Sequence, residues 1–171
     1  SSFERILNDF GKGTQVSYGG VVYRGNGGCS VPGIFVKPIQ NDYRELMTFL
    51  SNQAKNTDKC NGEITDQPIF ASITAGLNLF KTKKNETNLI ILVGSTGNIG
   101  GTNNYLINEL SEQIALADAR ILALQVYSDF DQSFNNFVIQ SRKLVSESAI
   151  RSAEYRKNTM VKGEGLKNFQ P

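Results

Sequence analysis

Apolar residues recur along the chain at two periods, and the switches between them mark out the elements. Phe3, Ile6, Leu7 and Phe10 stand at helical spacing, and Gly11-Lys12-Gly13 supplies a C-cap to a helix over Ser1 to Phe10. Val16, Tyr18, Val21, Val22 and Tyr23 predict a strand over Thr14 to Tyr23. Ile34 to Ile39 predicts a second strand, with Pro38 suiting an edge position. The glycine-rich connection Gly25 to Gly33 makes these two a hairpin and hence an antiparallel pair. Asp42 with Glu45 three residues on is an aspartate variant of the capping box. It opens a helix carrying Tyr43, Leu46, Met47, Leu50 and Ala54 on one face. After the polar loop Asn56 to Thr65, Pro68 suits the first turn of a helix with Ile69, Ile73, Leu77 and Phe80 inward.

The second half alternates more plainly. Leu89 to Val93 is an unbroken apolar run of strand length, followed by the turn Gly94 to Thr102. A helix with Leu106, Ile107, Leu110, Ile114 and Ala117 on one side comes next. Arg120 to Val126 is another nearly continuous apolar strand, of the kind buried on both faces of a sheet. Phe134, Phe137, Val138, Leu144, Val145 and Ala149 mark a long final helix reaching toward Tyr155. The expected domain spans residues 1–157, and residues 158–171 form a linker or docking tail. Buried strands alternating with amphipathic helices predict a three-layer α/β fold. Its central sheet is mostly parallel with one antiparallel edge strand, and helices cover both faces.

Composition narrows the functional classes. At 171 residues, with 39% hydrophobic and 20% charged residues, the chain can bury a core of its own. A net charge of +2 is too near balance to imply a nucleic-acid or anionic-membrane partner. No apolar run approaches the ~20 residues of a membrane span. Histidine is absent, which removes the commonest general base and every Ser-His-Asp or Cys-His arrangement. Cys29 and Cys60 lack metal-ligand spacing and read either as buried thiols or as a disulfide. Arg142, Lys143, Arg151, Arg156 and Lys157 read as a solvated face of the last helix.

Gly94, Gly97 and Gly100 fall at the spacing of a nucleotide-binding loop, and the segment is similar to that of extended short-chain dehydrogenases. Those enzymes carry the loop near their N-terminus and need a Tyr-x-x-x-Lys pair. Here the turn comes after 93 residues, and Tyr127 is followed four positions on by Asp131. Asp129 stands where a ribose-binding acid would be sought. The other readings are a sharp strand-to-helix turn, or anion binding at a helix N-terminus.

The element order resembles a von Willebrand factor A-type domain that starts after its first strand. Thr65, just before Asp66-Gln67-Pro68, stands at the place of that family's metal-liganding threonine, and Ala71 to Phe80 resembles the helix after it. Where the family has Thr-Asp-Gly, this chain has Val93-Gly94-Ser95. The family's Asp-x-Ser-x-Ser motif has no counterpart. The resemblance implies a degenerate site without metal, since hard cations want charged oxygen ligands. It also implies a central strand missing from the chain, and so a fragment of a larger protein. In such a fold Cys29 and Cys60 both lie at the C-terminal edge of the sheet, where a disulfide would close a loop of about 30 residues and contribute about 3 kcal/mol. An oxidising compartment would follow.

The asparagine- and lysine-rich composition resembles envelope proteins of Bacteroidota-type bacteria, including components associated with type VI secretion systems. The expectation is a non-enzymatic protein-interaction domain of an envelope or secretion assembly, with no cofactor, nucleic acid or small-molecule substrate. Its expected localisation is periplasmic or envelope-associated, with a cytoplasmic one as the alternative. Its binding face comprises Thr65, Asp66, Gly94, Ser95, Thr96 and Asn98. The alternatives are a nucleotide- or phosphate-binding enzyme fragment using Gly94–Gly100, and a purely structural domain docking through residues 134–156.

Overall fold

The structure, a computed structural model, describes residues 15–25, 33–55, 68–80, 87–98, 103–126 and 131–161. The helix predicted over Ser1 to Phe10 lies outside them. The order is β1 (Tyr18–Arg24), β2 (Gly33–Gln40), α1 (Tyr43–Lys55), α2 (Ile69–Phe80), β3 (Asn88–Gly94), α3 (Asn104–Leu116), β4 (Ala119–Gln125) and α4 (Asp131–Val161). Residues 158–161, assigned to the tail from sequence, continue α4.

β1 and β2 pair antiparallel, with Val21 opposite Val36 and Tyr23 opposite Ile34. Their two faces carry different helices. A Cβ at Gly20 would lie 2.6 Å from Leu46 of α1, whereas Val21 on the other face reaches to 4.0 Å from one at Gly76 of α2. Asp42 caps α1 by accepting the Arg44 backbone N–H at 2.9 Å. The reciprocal half of the predicted capping box gives way to an ion pair, since Glu45 meets Lys37 of β2 at 2.7 Å.

β3 and β4 pair parallel, with Ile90 opposite Ile121 and Leu92 opposite Ala123. Asn88 anchors this pair. Its side-chain amide donates to the Ala117 carbonyl at 2.7 Å, where α3 ends, and its N–H donates to Asp118 at 3.4 Å. Asp118 there adopts a φ of 44°, the left-handed conformation that turns a helix into a strand.

One core joins α2, β3, α3, β4 and α4: Ile69, Phe70, Ile73, Leu77, Leu92, Ile107, Leu110, Ile114, Ile121, Phe137 and Leu144 are all buried. The helix faces read from sequence are largely the faces found. The basic residues of α4, predicted as merely solvated, partly clamp α3. Arg156 meets Asp118 at 3.1 Å, Arg151 meets Glu112 at 4.0 Å, and Lys143 donates to Asn104 at 2.8 Å.

Two expectations change. The continuous central sheet resolves, among the described residues, into two two-stranded sheets. Among the described residues no strand joins β1 to β3. β3 and β4 also bury one face rather than both: Leu89, Ile91, Val93, Leu122 and Leu124 are 43–50% exposed on the side away from α3 and α4. An apolar run does not by itself say how many faces are covered.

Candidate functional site

The predicted binding face lies where β3 ends and the chain turns toward α3. Thr65 and Asp66, like Cys29 and Cys60, lie outside the described residues. Gly94, Ser95, Thr96 and Asn98 are placed together at the C-terminal end of the parallel pair.

Gly94, which the resemblance sets against the family's acidic ligand, is closely packed, and a side chain there would have to displace its neighbours. A Cβ would lie 2.5 Å from the Tyr23 hydroxyl and 2.7 Å from Phe137 Cε2. Tyr23 comes from β1 and Phe137 from α4, so two distant elements fill the space. Burial pushes the Tyr23 phenol up to about 12, which keeps it protonated. Its hydroxyl donates to the Val93 carbonyl at 3.3 Å. Among the described residues no group of three or more Asp, Glu, His or Cys side chains is placed to hold a cation. Thr65 and Asp66, the other positions that the resemblance sets at a metal site, lie outside the described residues.

The remaining loop is fastened to α4. Gly97 lets the two backbones touch, because a Cβ there would lie 2.6 Å from the Phe137 nitrogen and 2.7 Å from the Asn136 carbonyl carbon. Gln140, wholly buried, accepts the Asn98 N–H at 3.0 Å and donates to the Asn98 carbonyl at 2.8 Å. Gln125 of β4 donates to the Phe134 carbonyl at 2.9 Å, holding the start of α4 against the strand ends. Thr96 is 4% exposed and supports the loop from inside, while Ser95 and Asn98 are partly open.

A loop that cradles phosphate presents free N–H groups to the ligand. Here the Asn98 N–H is already bonded to the protein, and Gly97 approaches a helix instead of a pyrophosphate. Gly100 lies outside the described residues.

Sequence reasoning missed Tyr23, Phe137 and Gln140 as parts of this site. Gln140 left a signal: with Phe137, Ser141, Leu144 and Ser148 it shares one face of α4, and a glutamine there needs a buried partner.

No significant match was found among curated proteins or among solved structures. A family model described as the TssR protein VWA domain matches residues 1–171. The chain therefore belongs to the TssR protein VWA domain family.

Proposed function

We propose that this chain is a non-enzymatic protein-interaction domain of a secretion-system assembly at the cell envelope. It engages partner subunits without metal, through loops at the C-terminal edge of the strands. Ser95 and Asn98 supply hydroxyl and amide groups there, and the sequence adds Thr65 and Asp66, which lie outside the described residues, as further candidates. The observation that carries this reading is the packing at Gly94, where Tyr23 and Phe137 occupy the space an acidic metal ligand would need. Family membership supports the secretion setting, and the bonded state of Asn98 argues against a nucleotide pocket.

The reading is tested by co-purifying the full-length protein with the other subunits of its assembly, for native protein and for Ser95→Ala/Asn98→Ala and Thr65→Ala/Asp66→Ala variants. Partner recovery that survives EDTA and falls in the variants at unchanged melting temperature is expected. Recovery that needs a divalent cation, or that ignores both pairs of substitutions, contradicts it.

A further inference from the structure

The solvent face of a surface helix is normally polar, as in α1, where Arg44, Glu45, Thr48, Ser51 and Asn52 are exposed. α3 and α4 depart from this. Tyr105 and Leu116 of α3 are 74% and 65% exposed, and Ile139 and Ile150 of α4 are 48% and 59% exposed.

Contacts between the two helices place these four side chains. Lys143 reaches Asn104 and Arg151 reaches Glu112, so α3 and α4 lie side by side and run the same way. Leu144 is then level with Tyr105, and Tyr155 with Leu116. Ile139, Lys143, Glu147, Ile150 and Glu154 recur every three or four positions and form one row along α4, on the flank that Lys143 turns to α3. Tyr105, Asn108, Glu112 and Leu116 form the facing row on α3, where Glu112 meets both Arg151 and Tyr155. The furrow between the rows is bordered by Ile139, Tyr105, Ile150 and Leu116 in turn. They alternate between the helices at intervals of about 8 Å, over about 24 Å.

The charges along this furrow are acidic and incompletely matched. Lys143 and Arg151 are engaged with Asn104 and Glu112. Glu154 has no ion pair among the described residues, and Glu147 keeps a buried carboxylate oxygen without a hydrogen-bond partner. Both helices satisfy their own backbone hydrogen bonds, so an extended strand finds nothing to pair with there. A helix laid between the rows is the fitting shape. A second copy docking through the same face would set its own Glu112, Glu147 and Glu154 against these, and the same carboxylates repel an anionic lipid surface.

We propose that the furrow between α3 and α4 receives a basic amphipathic α-helix of about 16 residues from another protein. Its apolar row packs on Ile139, Tyr105, Ile150 and Leu116. Lysines or arginines flanking that row meet Glu147 and Glu154, the carboxylates left unmatched in this chain. The inference does not rest on the loop reading, and the two fail separately.

The probe is the helical peptide acetyl-(Leu-Lys-Lys-Leu-Leu-Lys-Leu)2-amide, with a twin in which glutamate replaces every lysine. Fluorescence anisotropy with the full-length protein at about 0.15 M salt should show binding of the lysine peptide and none of the twin. Leu116→Ser/Ile150→Ser should weaken that binding at least about tenfold. Glu147→Gln/Glu154→Gln should weaken it about tenfold and make it less sensitive to salt. Glu154→Gln alone, at an exposed position, should give part of that loss at an unchanged unfolding midpoint. Ser95→Ala/Asn98→Ala in the loop and Glu45→Gln on α1 should leave the affinity as it was. Four results would each overturn the proposal: no binding of the lysine peptide, equal binding of the two peptides, an affinity that ignores both pairs of furrow substitutions, or a concentration-dependent dimer that Leu116→Ser/Ile150→Ser abolishes.

Discussion

The Tyr23 hydroxyl donates to the Val93 carbonyl at 3.3 Å and stands 2.5 Å from where a side chain on Gly94 would begin. One aromatic side chain thus ties the antiparallel pair to the parallel pair and fills the space beside Gly94. Tyr23→Phe keeps the ring and removes the hydrogen bond, so it should lower stability by about 0.5–1.5 kcal/mol at neutral pH in urea unfolding.

The same tyrosine gives a pH signature. Its folded pKa is raised to about 12 by burial, against about 10 when unfolded. A raised folded pKa means that the neutral phenol's stability is complete below pH 10 and is lost as pH climbs toward 12, by up to about 2.7 kcal/mol. The stability difference between native protein and Tyr23→Phe should therefore shrink and then reverse across that window. A difference that stays constant with pH would show that the phenol is not desolvated.

Gly94→Ala should destabilise by about 1–3 kcal/mol through overpacking, and Gly94→Asp by more, because its carboxylate would be desolvated against Phe137. In a double-mutant cycle with Tyr23→Phe the two losses should be less than additive, since the nearest colliding atom is gone. Additive losses would mean that the two residues do not share this space.

How much of this was legible in the sequence follows from what each feature depends on. Helix faces were readable because burial of Ile69, Ile73 and Leu77, or of Ile107, Leu110 and Ile114, repeats with the helical period. The expectation that Gly94 replaces an acid was readable by comparison with a family pattern. Its consequence was not, because Tyr23 and Phe137 reach Gly94 from β1 and α4, and no local pattern encodes a contact between such distant positions. The half-covered state of β3 and β4 was hidden for a related reason: Leu122 and Leu124 look the same in sequence whether or not another element covers them.

Gln140→Leu should leave the Asn98 N–H and carbonyl without their buried partner and cost about 1–3 kcal/mol. The Asn98 amide should then exchange faster with solvent, while amides within the β3–β4 ladder stay protected. Unchanged exchange at Asn98 would show that Gln140 does not hold the loop.

The most direct test of a metal-free binding domain is the unfolding midpoint in millimolar Mg2+ or Mn2+, against EDTA, with ATP and NAD in parallel. A ligand that binds the native state must raise that midpoint. The account predicts that none of these additions moves the midpoint, either of native protein or of the less stable Gly94→Asp. A rise with either cation that EDTA abolishes, or a rise with either nucleotide, would contradict it.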